Sequence, residues 1–243
     1  MAIRNAGRKS SGKGKPGRVA RLQSVELPKA AKKKTKGAAV KARDPGTENA
    51  LLVATADLLT KKGNLDFSLA EVAAQADMSA ALVQYYFGGK HGLLSALMEW
   101  SSSRYVAQIN GLLALDLNAI EKLRIHVRAL VKTYTKTPYI DRLLHHLISA
   151  SDEAEAKRIS DYYVGRVVEF YRHLIDEGVR EGLFRPIDPM HLYFILLGTG
   201  DHLAARRRLL TPVIASHEMD ADFVREFSDV LADVLLKGIS KAD

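Results

Sequence analysis

Among residue types that perform covalent or metal chemistry, this chain of 243 residues has eight histidines and no cysteine. Without cysteine there is no disulfide framework, thiol nucleophile or thiolate-ligated metal, a composition suited to a reducing cytosol. The histidines include His145-His146, His173 and His202, but none falls in an HExxH or comparable pair, so no metal site is expected. A hydrolase built on His145, His146 or His173 would need an ordered nucleophile, and there is neither a nucleophile elbow nor a phosphate-cradling glycine loop. The chain therefore reads as non-enzymatic and without a cofactor. What remains is recognition chemistry. Tyr163, Arg166 and Phe170 follow i, i+3 and i+7, so a helix would set a guanidinium between two aromatics, where it can receive a carboxylate or other anion. The same spacing also fits an Arg166 that snorkels or pairs with Glu169.

A second kind of recognition is written into residues 68–90, SLAEVAAQADMSAALVQYYFGGK. Ser68-Leu69-Ala70-Glu71 is a capping box, opening a short helix with Val72, Ala73 and Ala76 on one face. That helix stops at Asp77, a residue type that tolerates a left-handed backbone better than most. Ser79 then caps a second short helix whose apolar side is Val83, Tyr86 and Phe87. Two short helices, a tight turn and small alanines at their approach describe a helix-turn-helix, although an ordinary helical hairpin has the same ingredients. In a helix-turn-helix the second helix enters the major groove and leads with its N-terminal residues.

The elements that must hold these residues are helices. Ile120, Leu123, Val127, Leu130, Val131 and Tyr134 recur in steps of three and four. The same holds for Ile159, Tyr163, Val167, Phe170 and Leu174, and for Phe223, Phe227, Val230, Leu231, Val234 and Leu235. No alternating β-branched run bounded by hairpin turns occurs, so the fold class is all-α, with about nine helices. Asp44-Pro45 opens a helix that closes near Gly63, Pro138 restarts the chain, and Gly182 closes the segment begun near Asp152. Asp188-Pro189 has the order of a cap followed by a first-turn proline.

Charge divides the chain unevenly. Residues 1–44 hold 14 lysines and arginines against Glu26 and Asp44, a net +12 that leaves −4 for the rest. Such an arm buries too little apolar surface to offset its ordering entropy, so it is expected to be disordered. A flexible cationic arm binds polyanions by releasing condensed counterions, or serves only as a solvated tail. The most apolar stretch, 192–197, falls far short of the roughly 20 residues that a bilayer requires, so no membrane partner is expected.

With the preceding helix (47–63) and the following GGKHGLLSALMEW, the helix-turn-helix resembles the TetR family of one-component transcriptional regulators. The resemblance is carried by Leu58-Leu59, Gly63, Ser68, Val72-Ala73, Met78-Ser79, Tyr85-Tyr86-Phe87, Gly88, Lys90 and Leu93-Leu94. The family often has tyrosine at Gln84 and usually glycine at Asp77. After the basic arm over 1–44, the resemblance implies a DNA-binding domain over 45–104 and a ligand-binding and dimerisation domain over 105–243. It implies a cytoplasmic homodimer on a palindromic double-stranded operator, read as a repressor that a small-molecule effector releases. A sequence-independent, nucleoid-type DNA binder led by its arm is the alternative.

Within that frame Ser79, Ala80, Ala81 and Leu82 are expected to face the groove, where small apolar side chains suit thymine methyls. Ser68, Gln84, Tyr85, Tyr86 and Lys90 are expected to meet phosphates, with Gln84 also able to reach a base edge. The DNA-binding segment is itself acidic, with three lysines against six carboxylates over 47–100, so the arm is expected to supply the long-range attraction. Residues 190–197, apolar nearly all round, and the stripe Phe223, Phe227, Leu231 and Leu235 are expected to form the dimer junction. Residues 185–192 and His202 resemble the pyrimidine-utilisation repressors of the same family, which implies a small polar or heterocyclic effector. Tyr163, Arg166, Phe170, Asp201 and His202 are then the candidate ligand residues. The helix from 90 to about 112, shared by both halves, is the expected lever.

Overall fold

The computed structural model describes residues 44–210 and 220–241, with the backbone alone for 206–210. The expected disorder of the arm falls outside these residues. The described chain is all-α, in nine helices.

Local chemistry sets the helix bounds. The Asp44 carboxylate accepts from the amides of Gly46 and Thr47 to open α1 (Pro45–Lys62), which stops at Gly63 with φ 66°. Ser68 and Glu71 close a reciprocal capping box on α2 (Leu69–Gln75). Ser79 caps α3 (Ala80–Phe87), which ends at Gly88 with φ 71°. The long α4 (Lys90–Leu113) follows, then α5 (Ala119–Lys136) behind a second capping box of Asn118 and Glu121. Next come α6 (Ile140–Ser149) and α7 (Glu153–Arg180), the latter capped by Asp152. α8 (Pro189–Leu210) begins where Asp188 accepts from the Met190 amide, and Asp220 caps α9 (Ala221–Ile239).

Two apolar cores lie end to end. The N-terminal one gathers Leu51, Leu59, Val72, Val83, Leu93 and Leu97 from α1–α4. It also takes in Leu143 and Leu147 of α6, with Ile159 and Tyr163 of α7 packed against it. The C-terminal core joins Leu123, Val127 and Leu130 of α5 to Phe170 and Leu174 of α7, Leu192 and Leu196 of α8, and Leu235 and Leu236 of α9. α4 serves both, through Leu93–Met98 in one and Ile109 and Leu112 in the other. The proposed boundary at 104/105 therefore crosses a continuous helix.

Polar links fasten the second core. The nearly buried Lys122 ammonium donates to Glu177 of α7 at 2.6 Å and to the Leu113 carbonyl at 3.2 Å. Arg124–Asp233 (2.6 Å) and Arg128–Asp229 (2.7 Å) hold α5 to α9 across the surface.

The expected dimer stripe is turned. Leu235 is buried, and Phe223, Phe227 and Leu231 pack against the protomer's own core. The open apolar face of α9 is instead Val230 and Val234, 60% and 63% exposed, with Phe194 (65%) and Ile195 on α8. A helix turns about 100° per residue, so a stripe one position along faces another way. Within 190–197 the expected burial on two sides splits. Leu192 and Leu196 face the protomer's core, and Phe194 and Ile195 are uncovered.

Candidate nucleic-acid interface

α2 and α3 pack on α1 and α4 through small residues and one tight turn. The turn is made by Asp77 at φ 53°, the one non-glycine residue with positive φ among those described. The Met78 amide then donates to the Ala73 carbonyl at 2.8 Å, closing the reversal. α3 is held from behind by Val83, fully buried, and by Tyr86. The Tyr86 hydroxyl accepts from the Asp44 amide at 3.1 Å, which pins the entry of α1, and with it the end of the basic arm, beside α3. At the exit of α3, the first turn of α4 approaches so closely that a Cβ on Gly92 would lie 1.9 Å from the Phe87 carbonyl oxygen, so only glycine fits.

The opposite side of α3 is open. Ser79, Ala80, Ala81, Gln84 and Tyr85 are all exposed, Tyr85 by 48%, and Leu82 is half-buried at the edge. Ala80, Ala81, Gln84 and Tyr85 are the i, i+1, i+4 and i+5 positions of one face, which starts at the Ser79 cap where helix amides favour anions. The face carries no formal charge, so direct readout there rests on methyls, one amide and one phenol.

The nine DNA-contact candidates therefore separate. Ser79, Ala80, Ala81, Gln84 and Tyr85 share the open face, with Leu82 at its margin. Tyr86 does not join them, because it is buried with its hydroxyl on the Asp44 amide. Lys90 is half-buried, its ammonium donating to the Phe67 carbonyl at 3.0 Å and lying 4.4 Å from the centre of that ring. The Ser68 hydroxyl is engaged in the capping box, accepting from the Glu71 amide at 3.2 Å and donating to its carboxylate at 3.1 Å. That carboxylate also meets Lys62, whose hydrogen bond is the main cause holding Glu71 down at about 2.

The five effector candidates disperse along α7 and α8. Tyr163 packs on the N-terminal core, and Phe170 is fully buried against His126 in the other. The Arg166 guanidinium lies 5.8 Å from the Tyr162 ring, an aromatic neighbour outside the expected set. His202 is exposed, and Asp201 alone of the five lines a cleft between α6 and α8. Spacing alone missed the α6 side of that cleft, Asp141 to Ser149.

Comparison with known proteins gives these elements a common ancestry. Residues 51–97 match the family described as bacterial regulatory proteins, tetR family, and residues 116–243 match a tetracyclin repressor-like C-terminal domain. The chain belongs to the TetR family. The transcriptional repressor NicS of Pseudomonas putida is 23% identical over 202 residues, covering 80% of this chain and 93% of NicS. The transcriptional regulator BetI 1 of Chromohalobacter salexigens is 32% identical over 84 residues, a match spanning 33% of this chain and 39% of that relative. Among solved structures, FadR from Bacillus subtilis in complex with stearoyl-CoA shares the fold, with a TM-score of 0.60 at 14% identity. That superposition covers 79% of this chain and 98% of FadR. This TetR-family chain is thus a DNA-binding transcriptional regulator with a helix-turn-helix at its N-terminal end. Among the described residues no helix is long and apolar enough to cross a membrane.

Proposed function

We propose that this regulator is a ligand-responsive repressor, not an enzyme, working as a cytoplasmic homodimer on a palindromic operator. The observation that carries the reading is the exposed face of α3: Ser79, Ala80, Ala81, Gln84 and Tyr85 are exposed to solvent while Val83 and Tyr86 anchor the helix from behind. Residues 45–104 would form the DNA-binding domain and 105–243 the ligand-binding and dimerisation domain. Ala80 and Ala81 would lie against base edges, with Tyr85 and the α3 amides on phosphates. Tyr86, Lys90 and Ser68 would act one step back, by fixing α1, the α1–α2 link and α2.

Asp44, where the described fold begins, is held against Tyr86 beside the reading helix, and the cations that precede it in sequence would add sequence-independent attraction to phosphates. Dimerisation through α8 and α9 is supported by the uncovered Phe194 and Ile195 on one helix and Val230 and Val234 on the other, since large apolar side chains left exposed can mark an interface. Two-fold symmetry then sets two α3 helices about one DNA turn apart. Effector control is supported by the regulators it resembles, FadR having been crystallised with an acyl-CoA.

Footprinting on the DNA that flanks the protein's own coding region tests the reading. The expected result is a protected palindrome with half-sites about one turn apart, lost in Ala81→Glu. Equal protection of every sequence, unchanged by Ala81→Glu, would refute it and leave the arm-led packaging alternative.

A further inference from the structure

The DNA reading leaves unused the cleft between α6 and α8, a space of about 510 Å³ lined by Asp141, Arg142, His145, His146, Ser149 and Asp201 among others. Asp141 stands out. It sits in the first turn of α6, and its Oδ2 is buried with no hydrogen-bond partner among the described residues. Desolvation pushes its carboxyl up to about 6, and the Asp201 carboxylate pushes the same way, while the Tyr134 hydroxyl and His145 pull it down. The Tyr134 hydroxyl hydrogen-bonds this carboxyl, yet Oδ2 finds no donor among the described residues, and a buried acceptor without one is rare in native folds.

The missing partner has definable chemistry. A neutral donor would satisfy Oδ2 but leave two carboxylates repelling each other, and an anion would add to that repulsion. A cation with N–H donors does both jobs, filling the vacant acceptor and offsetting the pair. Among the described side chains the permanent cation of the cleft is Arg142, and it does not supply the partner, because its guanidinium donates to the Gly63 carbonyl at the end of α1. Ammonium and amidinium groups fit. Carboxylates and phosphates do not.

The neighbour of Asp141 connects the cleft to DNA. Gly63 closes α1, and Leu143 and Leu147 from the same α6 helix lie in the N-terminal core with Val72 and Val83 of α2 and α3. We infer that the α6–α8 cleft binds a small organic cation bearing N–H donors, held by Asp141 and Asp201, and that its occupancy reaches the DNA-reading helices through Arg142 and the Gly63 carbonyl. This inference rests on the regulator reading, deepening it by naming an effector class and a route.

Two probes of one shape and opposite charge test it on the full chain: benzamidine and benzoate. Calorimetry without DNA at pH 7.5 should show benzamidine binding and benzoate not. Asp141→Asn and Asp201→Asn should each weaken benzamidine about tenfold or more while still binding the footprinted operator. In the wild type benzamidine should change operator affinity about fivefold or more. Arg142→Met should keep benzamidine binding and lose that change. Benzoate binding as tightly as benzamidine, or Asp141→Asn binding benzamidine at full strength, overturns the site. Operator affinity indifferent to bound benzamidine overturns the route. Failure of the regulator reading is separate, since it would appear as a wild type without a preferred operator before any probe is added.

Discussion

His126 offers a test of the C-terminal packing through acid stability. The ring is only 2% exposed between α5 and α7, with Nε2 3.0 Å from the Tyr171 hydroxyl. Desolvation lowers its pKa from 6.5 to about 3, so the folded imidazole is neutral at ordinary pH. The unfolded chain takes up a proton near 6.5 that the native state refuses. Its contribution to stability is therefore flat above that pH and falls progressively from there toward 3. At 1.36 kcal/mol per unit, moving from pH 7 to pH 5 costs about 2 kcal/mol through this one residue. Asp141 acts oppositely. Its carboxyl rises from 3.8 to about 6, so at pH 5 the folded state keeps a proton that most unfolded chains have released. The same acidification returns about 1 kcal/mol through Asp141.

The wild type should therefore hide a large loss behind a smaller gain, and two substitutions should separate them. His126→Gln keeps a partner for Tyr171 and cannot titrate, whereas Asp141→Asn keeps the carboxamide shape and cannot ionise. Urea unfolding at pH 7 and pH 5, at one protein concentration, gives the change for each chain, and other carboxylates cancel on subtraction from wild type. His126→Gln should lose about 2 kcal/mol less than wild type on acidification, and Asp141→Asn about 1 kcal/mol more. Parallel profiles for wild type and His126→Gln would mean that the imidazole titrates as in water. The packing argument would then fail.

Three further outcomes are expected. Asp77→Gly should stabilise the chain by up to about 1 kcal/mol, because glycine occupies φ 53° without steric cost, whereas Asp77→Val should lose about 1–2 kcal/mol in the same unfolding assay. Deleting residues 1–43 should weaken binding similarly on every sequence and flatten the slope of log K against log salt by roughly 0.9 for each phosphate the arm neutralises, read by titrations at several salt concentrations. Val234→Glu, which places a charge on the uncovered face of α9, should shift sedimentation toward monomer without moving the unfolding transition of the monomer itself.

The features legible in the sequence were those whose causes are local. Asp44-Pro45 with Gly63, Asp152 with Gly182, and Asp188-Pro189 each sit at an observed helix end, because a cap acts within four residues of itself. Val83 and Tyr86 share a face at i, i+3, and the fold buries both. The misreadings arose where the partner is distant. Lys90 looks like a free cation, yet its acceptor is the carbonyl of Phe67, 23 residues earlier. Tyr163, Arg166 and Phe170 do share one side of α7, but this 28-residue helix runs from one core to the other. Residues two turns apart on it meet different surroundings. Asp141 reads as a routine acidic residue in a first helical turn, and its burial comes from outside its own helix.

That same long-range packing constrains how a ligand signal can travel. The sequence points to α4 as the lever, because both halves share it. The fold adds α6, which is short, carries Leu143 and Leu147 into the N-terminal core and presents Asp141 to the cleft. α8 forms the other wall, and its uncovered Phe194 and Ile195 belong to the face proposed for dimerisation. A ligand pulling α6 and α8 together would act on the end of α1 and on the dimer face at once. The spacing of two α3 helices on one duplex depends on both, so a small closure of the cleft would be registered twice. A coupling of about 1–3 kcal/mol, enough to empty an operator, then requires no large rearrangement of either core, only a different balance between two packings of α6.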